Sequence, residues 1–129
     1  MKISIERSIL SEAISLASTA VSAKSSLPAL EGVLIETCGK DTVKITGYDL
    51  EIAIVSTVSA NIEKAGSIVL AASTFGEIVR KLPDDMVTIT VDEDFKTEID
   101  SGKSHFSIIG MPATDFPQLP EVNYNDSIS

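Results

Sequence analysis

The chain has 129 residues, 43% hydrophobic and 22% charged, which suits one globular domain with a real core. No apolar run approaches the roughly 20 residues of a membrane-spanning helix, and Cys38, the only cysteine, excludes an intrachain disulfide and points to a reducing cytosol. With 19 Asp and Glu against 10 Lys and Arg, the net charge of −9 argues against phosphate binding unless the acid is segregated away from one neutral or basic face.

Lys2-Ile3-Ser4-Ile5 alternates and predicts a short strand, and the early Glu6 and Arg7 leave no visible signal peptide. A helix is expected from Ser8 to Ser22. Ile9, Leu10, Ala13, Ile14, Leu16, Ala17, Ala20 and Val21 fall on one arc at helical spacing. The opposite arc holds Ser8, Ser11, Glu12, Ser15, Ser18, Thr19 and Ser22. That face reads either as an ordinary solvated surface or, being small, hydroxylated and almost uncharged, as a smooth contact surface. Pro28 has no backbone N–H and disfavours helix in the residue before it, so the helix must stop by then. Three strands are expected next: Gly32 to Thr37, Thr42 to Tyr48, and Leu50 to Ser59 as the longest. Gly47 and Asp49 read as the brackets of a tight return, and Asn61 to Gly66 as a polar connection.

The pattern then recurs. Ser67 to Ala71 is an expected strand, and Thr74-Phe75-Gly76-Glu77 reads as a capping box at a helix start. Phe75, Ile78, Val79 and Leu82 give that helix a buried face, and Arg80 and Lys81 complement its dipole in the last turn. Met86 to Val91, Phe95 to Asp100 and Lys103 to Ile109 are expected strands, the last two joined by a Ser101-Gly102 hairpin turn. The order strand, helix, three strands is thus written twice, with starts about 64 residues apart. Two such units predict an α+β fold with one antiparallel layer and both helices on one face. In the proline-rich segment from Met111 to Pro120, Phe116 and Leu119 are expected to tie an extended tail to the core, and residues 121–129 read as a linker.

Several chemical motifs fail on inspection. Ser101-Gly102-Lys103-Ser104 holds the Gly-Lys-Ser of a phosphate loop, but the upstream glycine position is Thr97 and the segment leads into a strand. Asp92 and Asp94 start like a calcium loop, but Lys96 and Thr97 occupy positions that need an acid and a glycine; a solvated hairpin tip is the better reading. One His, one Cys and no nucleophile elbow provide no hydrolytic centre, so no catalytic residue, metal site or cofactor is expected. Cys38 reads as an inert residue near a strand end.

Leu27-Pro28-Ala29-Leu30, followed by an apolar strand and then Thr46-Gly47-Tyr48-Asp49-Leu50-Glu51, resembles the first domain of the bacterial sliding clamp family, the beta subunit of the replicative DNA polymerase. Glu6-Arg7, Leu82-Pro83, Ser101-Gly102, Phe106-Ser107 and Pro112-Ala113-Thr114-Asp115-Phe116-Pro117 match as well, and the resemblance extends from Lys2 to Leu119. It implies a DNA-clamp fold over residues 1–120, with 121–129 as an interdomain linker or added tail of an excised fragment. It also implies a non-catalytic processivity factor. Two chains of three such domains form a homodimeric ring around double-stranded DNA in the cytoplasm, sliding without sequence preference. DNA polymerase and clamp loader would bind through domains absent here.

Carried across, the family's basic DNA contacts fall on Lys24 and on Ser73, the latter a loss of charge, with Arg80 on the same expected surface. Glu12 also departs from a basic or neutral surface. The ring interface falls on Thr74, Lys103, His105, Phe106 and Ile108. Seven of the 19 acidic residues lie between Asp84 and Asp100, on a hairpin expected to face outward. The competing readings are a non-catalytic interaction module that uses a sheet edge and never meets DNA, and an enzyme with an unseen pocket.

Overall fold

Period-two alternation and helical spacing resolve into nine strands and two helices among the residues that the computed structural model describes, 1–20, 31–48, 52–82 and 86–116. β1 (Lys2–Glu6) runs directly into α1 (Arg7–Ser18). β2 (Gly32–Cys38), β3 (Thr42–Tyr48), β4 (Ala53–Ser59) and the short β5 (Asn61–Lys64) follow. β6 (Ser67–Ala71) passes without a loop into α2 (Ala72–Lys81), and β7 (Met86–Val91), β8 (Lys96–Ser101) and β9 (Ser104–Ile109) complete the sheets.

The two halves exchange their first strands. One sheet has the order β5-β1-β7-β8-β9 and the other β4-β3-β2-β6, and every pairing is antiparallel. β1 of the first half therefore sits beside β7, and β6 of the second half sits beside β2. The same logic governs the connections. The segment after β4 returns as β5 to pair with β1, and the segment after β9 returns at Met111 to bridge Val69 of β6.

α1 lies over β4 and β3, α2 over β6 and β2, and the helices pack side by side. Leu10, Ala13, Ile14 and Ala17 of α1 and Phe75, Ile78 and Val79 of α2 share one core with Ile3, Ile5, Ile35, Ile45, Ile89 and Ile99 of the sheets. Gly47 of β3 lies directly under α1. A Cβ there would come within 2.0 Å of the Ala17 carbonyl oxygen, so only glycine permits this approach. Behind β2, β3 and β6, a smaller cluster of Tyr48, Val69 and Phe116 gathers Leu34 and Met111, with the Tyr48 and Phe116 rings 6.4 Å apart.

The α+β class, the two helices and the duplicated order hold, and Phe116 ties the tail to the sheet as expected. Several details differ. The single antiparallel layer is divided into two sheets, because strand exchange gives each half's first strand a partner in the other half. Residues 61–64, read as connection, form β5, and Gly47 lies inside β3 rather than in a turn. β4 starts at Ala53 and matches β2 and β3 at 7 residues instead of being longest. α1 ends at Ser18, and Ile9 and Leu16 are exposed at 36% and 49%, since its buried arc is narrower than the run of apolar residues. The capping box is not made: α2 begins at Ala72 with no side-chain cap, which places Thr74 within its first turn. The hairpin register pairs Ser101 with Ser104, so Gly102, at φ 57, and Lys103 are the turn, and Lys103 lies outside β9. Lys24, Leu27, Pro28, Asp49, Leu50, Pro83, Leu119 and the 121–129 tail lie outside the described residues.

Candidate nucleic-acid interface and sheet edge

Side-by-side packing of α1 and α2 leaves an open groove of about 470 Å³ between them. Ser11, Ser15 and Ser18 line it from α1, Ser73, Gly76, Glu77 and Arg80 from α2, and Glu31 from the start of β2. Small side chains on both helices keep its walls shallow. Ser73 and Arg80 are both exposed, as the sequence suggests, and share this groove with the hydroxylated arc of α1. Arg80 makes no ion pair among the described residues. Its charge and that of Lys81 lie near the C-terminal end of α2, where they also complement the helix dipole.

The groove is not a basic trough. Glu31 and Glu77 are exposed in it, so Arg80 and Lys81 do not dominate the field, while Glu12 lies on the side of α1 that faces β4. Glu31 reaches this groove only through packing, whereas Glu77 shares the face of Arg80 by i,i+3 spacing on α2 and was read instead as a capping residue. Among the described residues no group of three or more His, Cys, Asp or Glu is placed to hold a metal, and no helix is long and apolar enough to cross a membrane.

Acid gathers elsewhere. Asp92, Glu93 and Asp94 are exposed at the β7–β8 tip. Asp92 Oδ1 accepts the backbone N–H groups of Asp94 and Lys96, each at 2.9 Å, so this carboxylate closes the turn. Glu98 and Asp100 alternate with the buried Thr97 and Ile99, which directs them away from the core.

β9 is a terminal strand of its sheet, with one side paired to β8. Phe106 and Ile108 are half-buried against the main core, opposite Ile99 and Thr97, while Ile109 is 72% exposed on the other face. His105 points outward. Its Nδ1 hydrogen-bonds Asp100 Oδ1 directly across the hairpin, and its Nε2 lies 3.6 Å from Glu98 Oε1. The Asp100 hydrogen bond, then its charge, raises the His105 pKa above the ordinary 6.5; Glu98 adds to this, and lost hydration and Lys96 oppose it. Thus Lys103, His105, Phe106 and Ile108 share one hairpin edge, whereas Thr74 is exposed on α2. The carboxylates beside His105 became legible only with the strand register.

The family described as DNA polymerase III beta subunit, N-terminal domain, matches residues 1–120. The chain is 37% identical to the beta sliding clamp of Synechocystis sp. over 129 residues, 95% of this chain and 33% of that protein. It is 37% identical to the beta sliding clamp of Bacillus subtilis over 136 residues, 99% of this chain and 36% of that protein. The crystal structure of the DNA polymerase sliding clamp from Bacillus subtilis gives a TM-score of 0.91 at 37% identity, covering 95% of this chain and 34% of that one. A putative DNA polymerase III beta subunit from Eubacterium rectale gives 0.90 at 37%, covering 95% and 33%. This chain therefore spans about a third of the length of the relatives it matches.

Proposed function

Because this chain belongs to the family of DNA polymerase III beta-subunit N-terminal domains, we propose that it forms one arc of a ring that encircles duplex DNA and slides along it. In this reading it is part of a cytoplasmic, non-catalytic processivity factor. The ring closes as a homodimer, and polymerase and clamp loader dock on parts of the protein beyond this chain.

The observation that carries the reading is the pair of helices presenting a shallow, serine-lined face with the acidic hairpin tip set apart from it. A sliding ring holds its duplex by topology. Dense ionic contacts would retard it, and a like-charged face would repel it. Small hydroxyls meet the first demand, and Arg80 and Lys81 offset the charge of Glu31 and Glu77 to meet the second. Lys24 and Ser73 complete the proposed DNA-facing set. Closure uses the free β9 edge, with Phe106 and Ile108 as apolar contacts and Thr74, Lys103 and His105 around them. An unpaired strand offers N–H and C=O groups to another chain.

The test uses the full-length protein loaded on circular DNA. Arg80→Glu and Lys24→Glu are expected to shorten retention more than Asp92→Lys or Glu93→Lys. Equal effects from the two sets would show that the helices do not face the duplex. The exposed Ile109 favours a second reading, an interaction module that uses the β9 edge without DNA; retention insensitive to all four changes would support it.

A further inference from the structure

The outward face of the β8–β9 hairpin places the chain's single histidine between two carboxylates. Asp100 lies directly opposite His105 in the cross-strand register, and Glu98 lies one outward position along the same strand. Since β9 is terminal, β8 is the strand packed against it, and its third outward charge is Lys96. On β9's own side, Lys103 is exposed in the turn. The outward residues of the next strand, Thr88 and Thr90, carry no charge. Over His105, Asp100 and Glu98 the net charge is therefore −2 with a neutral imidazole and −1 with a protonated one.

We infer that His105 is a protonation switch for closure through the β9 edge: the ring closes more tightly when the imidazole takes a proton from solvent and loosens when it returns it. This rests on the assignment of β9 as the closing surface. A partner strand docks about 4.8 Å from β9. At that distance it strips water from the outward row and makes two uncompensated carboxylates costly. The proton halves that charge. It also gives both ring nitrogens donor hydrogens, one for Asp100 and one for Glu98, and so fixes β9 in the extended register that a partner strand must meet. Each copy of this chain carries a net charge of −9, so one proton per edge also reduces repulsion between the closing subunits. Imidazole is the side chain whose ordinary titration range falls between about pH 6 and about pH 8, and His105 is the histidine on this face.

The experiment measures ring dissociation of the full-length protein by sedimentation at about pH 6 and about pH 8, for the parent and for His105→Gln. The parent is expected to dissociate more readily at the higher pH by about three- to tenfold for each of the two β9 edges opened, the factor given by a half to one unit of pKa difference between open and closed edges. His105→Gln is expected to lose most of that dependence and to behave at both pH values like the parent at high pH. The side chain is about half exposed, so the variant folds, and circular dichroism verifies it. An unchanged pH dependence in His105→Gln overturns the switch. Phe106→Ala with Ile108→Ala separates the two readings. If that variant remains a closed dimer, β9 is not the closing surface and the switch falls with it. If it dissociates while His105→Gln keeps the parent's pH profile, the closing surface stands and the switch alone is refuted.

Discussion

Gly47→Ala tests the seat of α1 on β3. The added Cβ would lie 2.0 Å from the Ala17 carbonyl oxygen, 2.7 Å from its carbonyl carbon and 3.1 Å from its Cα. Ordinary contact begins near 3.4 Å, so helix and strand must part by about 1.4 Å. All three obstructing atoms are backbone, and no rotamer change relieves them. Ala17 is fully buried, and Gly47, next to the end of β3, is held in register with Ile54 of β4, so neither side yields easily. Overpacking of a well-filled core costs about 1–3 kcal/mol, and the rigid contact places this case near about 3 kcal/mol. At roughly 3–5 °C per kcal/mol for a chain of this size, the melting temperature is expected to fall by about 9–15 °C. Urea and thermal unfolding of this chain, followed by circular dichroism, measure it. Ala17→Gly in the same background is expected to give no rescue, because it leaves the carbonyl in place. A melting temperature unchanged by Gly47→Ala would refute the close approach, and rescue by Ala17→Gly would locate the clash in the side chain instead.

Thr46 is fully buried and its Oγ1 has no hydrogen-bond partner among the described residues, so Thr46→Val is expected to stabilise by about 1 kcal/mol; a lower urea midpoint would mean that the hydroxyl is satisfied. In the full-length protein, Phe106→Ala with Ile108→Ala is expected to give dissociated but folded chains by sedimentation and thermal melting, because covering the exposed part of these half-buried groups with a partner contributes about 1–3 kcal/mol before association costs. Outright unfolding of that variant would assign both side chains to the domain's own core.

The helices and most strands were legible because their burial follows local spacing. Phe75, Ile78, Val79 and Leu82 are all buried as their helical spacing requires, and Val87, Ile89 and Ile99 follow strand alternation into the core. β5 was not legible: in Asn61-Ile62-Glu63-Lys64 only Ile62 is apolar, and an edge strand needs no more than one inward contact. Thr74 and Glu77 carry capping-box chemistry, but β6 enters α2 at Ala71–Ala72 without the loop that such a box closes. Ile9 and Leu16 fit the apolar arc of α1 yet remain exposed, because the sheet beneath spans only part of that arc. At the candidate sites, the family resemblance pointed to Ser73, Phe106 and Ile108, with Arg80 on the same expected surface as Ser73. Their neighbours Glu31, Asp100 and Glu98 emerge from packing and strand register, whereas Glu77 stands beside Arg80 by local helical spacing.

The exchange of first strands has a consequence for synthesis on the ribosome. β1 is among the earliest segments to emerge, yet its Ser4 meets Thr88 across 84 residues of chain. Its nearer partner, β5, is short and registers with it at only three positions. Ile3 and Ile5, both destined for the core, therefore wait uncovered until β7 has been made, while β2, β3 and β4 can already pair in sequence. Closing so long a loop late favours a slow, all-or-none final step over stepwise accretion. Until then the nascent chain presents an apolar strand that a holding chaperone can cover.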